Sequence, residues 1–281
     1  MSRFSGCRLL VAFAMASGVA GTAGAADLYP IKSPAPPPVQ EDWYVTIGAS
    51  GTMQPKYPGS DDYTIRPGLI LSIGKESGLN TFSSVDDSPS FAIINLPGFR
   101  AGPAGRLNWG RDESDSDRLR GLGDVDIAAE AGGFAEWYVV EWLRLRGELR
   151  YGFGGYEAVM GNLSADAIFT NGPWQYAIGP RLSYGGNGYM EAFYGVTPLQ
   201  SLMATAWWNP TPIFKASGGF DSAGVLAQVT YKFGNGITAG AFGSYNRLLG
   251  DAASSPLTDD KNQWTAGLSL SYTFNIGKAW W

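Results

Sequence analysis

The stretch that decides the fold is WTAGLSLSYTF, from Trp264 to Phe274. Apolar and small polar residues alternate along it, and successive side chains of a β-strand point to opposite faces, so the pattern predicts a two-faced strand. Its length fits a bilayer-crossing strand, which needs roughly 9 to 11 residues. The apolar face carries no charge and has aromatic rings at both ends, as expected of a surface that contacts lipid. The alternative is a water-soluble barrel with this face inward, but such barrels usually carry charges outside, and the polar face here is Ser, Thr and Gly.

Composition favours an all-β protein and excludes several functions. The chain has 281 residues with 39 glycines, 14% aromatic residues and only 16% charged residues, against about a quarter charged in ordinary soluble domains. A net charge of −5 without a basic patch argues against binding nucleic acid. The absence of histidine excludes histidine general bases, Ser/His triads and imidazole metal sites. Cys7 is the one cysteine and lies in the segment predicted to be removed.

The N-terminal region reads as two segments that precede the barrel. Residues 1–25 have the pattern of a secretory signal peptide: two early arginines, an apolar stretch, and a small-residue cleavage site at Ala23 to Ala25. Residues 26–42 contain Pro34 and Pro36 to Pro38, which favour an extended polyproline form and cannot join a sheet ladder. We interpret this segment as a periplasmic spacer, with a docking peptide as the alternative. No later apolar run is long enough for a helical membrane span.

Residues 43–281 are predicted to form a transmembrane antiparallel β-barrel of the outer-membrane type. The predicted strands are Trp43–Ser50, Tyr63–Gly74 (broken by Pro67), one or two within Phe91–Trp109, Val125–Tyr138, Trp142–Tyr151, Leu163–Phe169, Trp174–Tyr184, Tyr189–Val196, Ala223–Phe233, Ile237–Tyr245 and the final strand. A polar stretch, Lys75 to Ser90, connects the second strand to the third.

Strand parity then sets the strand count. Such barrels have short periplasmic turns and longer external loops, which makes the Gly234 to Gly236 turn periplasmic and Leu248 to Lys261 external. Strands counted forward from the first strand and backward from the last strand assign the loops to the same sides of the membrane on two conditions. Ser201 to Phe220 must hold one further strand, and Phe91 to Trp109 must hold only one. The result is about 12 strands, with about 10 as the alternative.

Two charged stretches are distinctive. In Trp142–Tyr151, apolar residues alternate with Arg144, Arg146, Glu148 and Arg150. In a membrane barrel these four side chains would face the lumen, where they could set its internal field and favour anions. Gly110 to Gly123 is the most charged stretch, but it lacks the spacing, central Gly and closing Glu of a calcium loop, so a solvated loop is predicted.

Four segments of the chain are distinctive as sequence motifs: YPGSDDYTIRPG (57–68), LRGLGDVDIAAEAGGFAE (119–136), YMEAFYGVTPLQS (189–201) and LLGDAASSPLT (248–258). Through these segments the chain resembles the MipA/OmpV family of outer-membrane proteins. The last segment is the family-signature loop, with Leu248, Leu249, Gly250, Asp251, Ala252, Ser255 and Pro256. The chain departs from the family after Gln200, where it reads SLMATAWWNPTPIF, and in running past Phe274 to end NIGKAWW.

The resemblance implies a non-enzymatic scaffold in the outer membrane of a Gram-negative bacterium. Its implied partners are a lytic murein transglycosylase and a bifunctional penicillin-binding protein, which link it to peptidoglycan hydrolysis and synthesis. Porin-like channels and adhesins are the alternatives within the family. It defines no catalytic, metal or cofactor residues. Insertion into the lipid bilayer by the barrel-assembly machinery is expected to use the terminal aromatic strand, through Trp264, Tyr272 and Phe274 or through Trp281 in the Asn275 to Trp281 extension.

One enzymatic alternative remains in the signature region. A carboxylate pair, Asp251 with Asp259 or Asp260, could in principle support acid/base chemistry. Aspartates in such loops more often bind water or their own turns, so we expect their substitution to change no hydrolytic activity.

Overall fold

The computed structural model describes residues 42–75 and 82–277, and within them the protein is built from eleven β-strands. The strands are β1 (Trp43–Pro55), β2 (Tyr63–Lys75), β3 (Ile94–Leu96), β4 (Phe99–Asn108), β5 (Ala128–Val140), β6 (Leu143–Gly154), β7 (Ala158–Asn171), β8 (Trp174–Gly185), β9 (Gly219–Lys232), β10 (Ile237–Leu248) and β11 (Asn262–Gly277). The predicted signal peptide, nearly all of the predicted spacer and Trp281 lie outside the described residues.

The strands form one antiparallel sheet in which the first strand pairs with the last. The order is β2-β1-β11-β10-β9-β8-β7-β6-β5-β4-β3, so β2 and β3 are the two edges. Ala49 of β1 lies opposite Leu270 of β11, and opposite Leu69 of β2. The prediction of an all-β antiparallel sheet is confirmed, with eleven strands in the described residues against the predicted 12 or 10.

The two faces of the sheet differ as the alternating pattern predicts. Along β11, Leu268 and Leu270 are 69% and 58% exposed, while the intervening Ser and Thr side chains are partly buried. Other strands show the same outward face, including Ile65, Leu149, Leu163 and Ile178. The apolar face therefore points outward, which contradicts the water-soluble alternative and suits lipid contact.

One end of the sheet, here called the turn end, has short connections. Residues 97–98, 141–142, 172–173 and 233–236 join consecutive strands there. The opposite end, the loop end, carries the longer connections 56–62, 109–127, 186–218 and 249–261. These contain two 3-10 turns and three α-helices, α1 (Asn187–Tyr194), α2 (Pro198–Ala206) and α3 (Gly250–Ser254).

The helices correct two strand predictions. Tyr189–Val196, predicted as a strand, lies mostly in α1, because Tyr189, Met190, Phe193 and Tyr194 bury one helical face. Residues 201–220 contain the rest of α2 and the start of β9 rather than a further whole strand. Helix α2 begins at a capping box in which Thr197 and Gln200 bond reciprocally, with Pro198 in the first turn.

Two further corrections concern the first half of the sheet. Pro67 does not break β2, since it pairs with Gly51 in the ladder, and an edge strand tolerates proline. Phe91 to Trp109 forms a hairpin of two strands, β3 and β4, turned at Pro97 and at Gly98 with its positive φ of 75°. Both strand assignments on which the predicted count of 12 depended were therefore wrong.

None of the helices in the described ranges has the length and hydropathy needed to span a membrane.

The loop end has its own apolar core. One cluster packs α1 against the loop ends of the strands and α3, and includes Tyr156, Met160, Phe193 and Ala252. A second cluster joins four loops through Tyr57, Leu119, Leu122, Val196, Ala204 and Leu257. Phe214 contacts both clusters. The loop end is thus a packed cap on the sheet.

Candidate functional site: the charged interior

The inward face of β5 to β8 carries a ladder of ion pairs. Arg144 is fully buried and contacts Asp166 at 2.7 Å and Asp87 at 2.7 Å. The distance from Nη1 of Arg144 to Oε2 of Glu136 is 3.5 Å. Because every second residue of these strands points inward, adjacent strands place carboxylates beside the arginines of β6.

The other predicted lumen charges continue the ladder. Arg146 contacts Glu136 at 3.0 Å and Glu148 at 2.7 Å. Arg150 pairs with Glu148 and, at 2.7 Å, with Glu130. The structure therefore places Arg144, Arg146, Glu148 and Arg150 together and buried on the inward face. Their predicted influence on solutes remains a prediction.

A segment of chain crosses this interior, which sequence reasoning missed. Residues 82–90, read as part of a polar connection, lie against the inward face and are here called the inner segment. Phe82 packs on Ile168 and Ala177 near the turn end. Ser84 and Val85 bond to Gln228 of β9, while Ser88 bonds to Glu148 of β6.

Two adjacent carboxylates hold the inner segment in the ladder. Asp86 pairs with Arg181 of β8 at 2.6 Å, and Asp87 with Arg144. The guanidinium of Arg144 also lies 4.6 Å from the centre of the Phe82 ring, a cation–π distance. The sequence signal for this segment was the pair Asp86 and Asp87 in an otherwise uncharged stretch. A buried role for the two carboxylates could be inferred only once the positions of Arg144 and Arg181 were known.

Above the ladder, towards the loop end, lies a cavity of about 480 Å³. Its floor includes Asp86 and Asp87, and its roof includes Tyr189 and Tyr194 of α1. Burial raises the pKa of both tyrosines well above the ordinary value, so they are neutral donors at physiological pH. Nine strands or their flanking residues contribute to the wall, which makes this cavity the central space of the sheet.

The signature loop forms part of the cap. Leu248 ends β10, Leu249 is the N-cap of α3, and Gly250, Asp251 and Ala252 lie in α3. Ser255 donates a hydrogen bond to the Tyr194 carbonyl at 2.6 Å, and Pro256 follows it beside the buried Leu257. The loop thereby fixes α1 above the cavity.

The aspartates of this loop have structural partners. Asp251 accepts the Ser217 backbone N–H at 2.8 Å, and Asp260 accepts that of Asn262 at 2.8 Å. Asp259 accepts the Tyr57 hydroxyl at 3.0 Å and pairs with Arg118 at 2.5 Å. Burial, followed by the Asp259 carboxylate, raises the pKa of Tyr57. These contacts tie the signature loop to three other loops and favour the structural interpretation over acid/base chemistry.

The predicted insertion strand presents its aromatic residues outward. Trp264 packs against Tyr245 with ring centres 4.6 Å apart, and Tyr272 stacks with Phe274 at 6.1 Å. Recognition of this strand by assembly machinery remains a prediction. Within residues 42–75 and 82–277, no group of three or more His, Cys, Asp or Glu side chains is placed to hold a metal ion.

Comparison with known protein families gives one decisive match. The model of the family described as MltA-interacting protein MipA matches residues 47–274, which is nearly the whole sheet and its cap. The chain belongs to this family. The MipA match agrees with the resemblance seen in the signature segments, and no curated protein sequence matches the chain.

Solved structures that resemble this MipA-family chain are outer-membrane proteins of low identity. The NanC porin is 11% identical, with 80% of this chain and 98% of that chain covered and a TM-score of 0.44. The N-terminal β-barrel domain of Pseudomonas aeruginosa OprF is 13% identical over 84% and 100%, with a TM-score of 0.26. The channel DcaP of Acinetobacter baumannii is 6% identical over 83% and 96%, with a TM-score of 0.37. These TM-scores are too low to support an argument.

Family membership and the outward apolar face together identify an outer-membrane β-barrel protein. Charges inside and apolar side chains outside are the arrangement that a bilayer imposes on such a sheet.

Proposed function

We propose that this MipA-family protein is a non-enzymatic outer-membrane scaffold that binds murein-processing enzymes. The observation that carries the proposal is the family match over residues 47–274, since the family is named for interaction with MltA. The implied partners are a lytic murein transglycosylase and a bifunctional penicillin-binding protein.

The internal contacts of the protein support a scaffold role. The ion-pair ladder, the inner segment and the cap fix the sheet from within and at one end. A rigid body loses little entropy when it binds partners. With short turns on the periplasmic side, the turn end and the predicted spacer 26–42 are the surfaces that periplasmic enzymes would contact.

Co-purification from detergent extracts tests the scaffold. The folded full chain should retain a murein transglycosylase, and deletion of residues 26–40 should reduce this retention. Leu202→Ser, on the exposed face of α2 at the loop end, is the matched control and should retain the enzyme fully. A folded barrel that retains no murein enzyme would contradict the proposal.

A small-solute channel is the second candidate, favoured by the charged central cavity of about 480 Å³. Arginines on its wall would select anions over cations. The test is single-channel recording in planar bilayers, where the candidate predicts discrete steps with anion preference. A folded barrel that shows no conductance steps would exclude it.

A further inference from the structure

Most charges that line the central cavity are paired with one another or with the ladder. Lys56 pairs with Asp62 at 3.0 Å, outside the cavity. Asp86, Asp87, Arg146, Glu148 and Arg181 all belong to the ladder. Three charged residues on the cavity wall remain, namely Arg66, Arg106 and Asp221.

The two arginines have no carboxylate partner among the described residues. Arg106 of β4 donates to the Asp86 carbonyl at 2.6 Å, and Arg66 of β2 donates to the Lys56 carbonyl at 3.1 Å. A guanidinium has five N–H donors, so each arginine keeps donors free for a further acceptor. Neither side chain is fully exposed, and such a group gains most from an anionic acceptor.

The β9 side of the cavity and its roof have unused polar atoms of complementary kind. Asp221 of β9 is 5% exposed and has no cationic partner in the described part of the chain. Its Oδ1 atom, and the hydroxyl of Tyr194 in α1, are buried without a hydrogen-bond partner there. Leaving such atoms unsatisfied is costly, so a bound donor at this wall would be stabilised.

Asp221 lies on a different part of the sheet from the two arginines. In the order of the sheet, three strands separate β9 from β2 and four separate β9 from β4. Asp221 makes no salt bridge with either arginine, although all three residues line one cavity. The cavity therefore carries unpaired charges of both signs around an open space whose volume, about 480 Å³, falls in the range of ligand sites.

We propose that the central cavity binds a small zwitterion of the amino acid or short peptide class. Its carboxylate would bond to Arg106 and Arg66, and its ammonium group to Asp221 and the Tyr194 hydroxyl oxygen. A ligand with only one charge would leave either the arginines or Asp221 unpaired. The proposal does not depend on the scaffold or on conductance.

Isothermal titration calorimetry of the folded full chain in detergent tests this site with three matched probes. Glycylglycine carries both charges, N-acetylglycylglycine only the carboxylate, and glycylglycinamide only the ammonium group. We expect glycylglycine to bind about tenfold or more tightly than either blocked peptide, because each loses a charge-assisted hydrogen bond. Equal binding of a blocked peptide, or no binding of glycylglycine, would overturn the proposal.

Variants test the arginine and Asp221 contacts separately, because each variant is judged by its preference between two probes and not by its stability. Arg106→Gln should remove the preference for glycylglycine over glycylglycinamide, and Asp221→Asn should remove the preference over N-acetylglycylglycine. Tyr194→Phe deletes one hydroxyl and should weaken glycylglycine several-fold, so the site is testable even if Asp221→Asn does not fold. Arg120→Gln, in an exposed ion pair with Asp117 of the cap, is the control. Unchanged preferences in the first two variants would contradict the assignment.

Discussion

At the scale of single residues, Arg144 is the most consequential side chain of the interior. It compensates Asp87 and Asp166, with Glu136 beside it. Replacing Arg144 by Met would leave these carboxylates without their central cation, and removal of one partner from a buried ion pair costs about 3 to 5 kcal/mol. We expect a loss of this size in the free energy of unfolding, measured by urea denaturation in lipid vesicles.

Arg120→Met is the matched control for this measurement. Arg120 pairs with Asp117 at 2.8 Å, and both side chains are mostly exposed. Exposed pairs contribute about 0 to 1 kcal/mol, so this variant should resemble the wild type. Similar losses in both variants would show that Arg144 has no special role in the ladder.

A second residue-scale prediction uses two glycines of the cap. Gly121 and Gly123 both have positive φ, at 80° and 74°. A Cβ at Gly121 would lie 2.8 Å from Cα of Ala204 in α2, whereas one at Gly123 would meet nothing within 4 Å. Both alanine variants share the backbone strain, so their difference reports the packing of α2 on the loop.

We expect Gly121→Ala to be less stable than Gly123→Ala by about 1 to 3 kcal/mol in the local opening of the cap, because the backbones must separate. Hydrogen exchange of residues 198–206 measures this opening. Equal exchange in the two variants would mean that α2 does not depend on this contact.

At the scale of elements, the inner segment is held mainly by side chains. Asp86 and Asp87 bind Arg181 and Arg144, and the double variant Asp86→Asn, Asp87→Asn would remove both charges from these contacts. We expect residues 82–90 to exchange amide hydrogens at least tenfold faster in this variant, since charged hydrogen bonds contribute about 1.5 to 3 kcal/mol. Asp61→Asn, Asp62→Asn in an exposed loop is the control, and equal exchange in both would argue against ionic anchoring.

The elements also show where sequence patterns work and where they stop. Alternation located β5 to β11 well, because each has one lipid face and one interior face. It failed at Tyr189–Val196, where the aromatic residues that suggested a strand pack on one side of a short helix. The inner segment shows no alternation of apolar and polar residues. Its polar side chains instead bind partners on three different strands, β6, β8 and β9.

The candidate site was predictable only in part for the same reason. Arg144, Arg146, Glu148 and Arg150 follow one another at every second position, so their shared face can be read from the sequence. Arg66, Arg106 and Asp221 come from three separate strands, and only the sheet order brings them to one cavity.

At the scale of the whole molecule, the free-energy cost of a charge on the outward face should depend on its depth in the membrane. Leu270 lies near the middle of β11 and Ile276 near its end, and both are exposed. Arginine on the lipid face costs about 2 to 4 kcal/mol at the midplane and about 0 to 1 kcal/mol near the interface. Leu270→Arg should therefore destabilise the folded state in vesicles much more than Ile276→Arg, and equal effects would contradict the lipid-facing orientation.

The pairing of β1 with β11 also has a consequence for assembly kinetics. Residue 43 lies opposite residue 277, so the contact joins two strands that are far apart in the chain. Such long-range pairing forms slowly, because closing a long stretch of chain costs conformational entropy before the contact stabilises the fold. Among the strands that the structure describes, the hairpin of β1 and β2 has no neighbour other than β11. A chain halted before its last strand would thus leave β10 paired only with β9 and the β1–β2 hairpin detached from the rest of the sheet, so we expect the arrival of β11 to join the two parts.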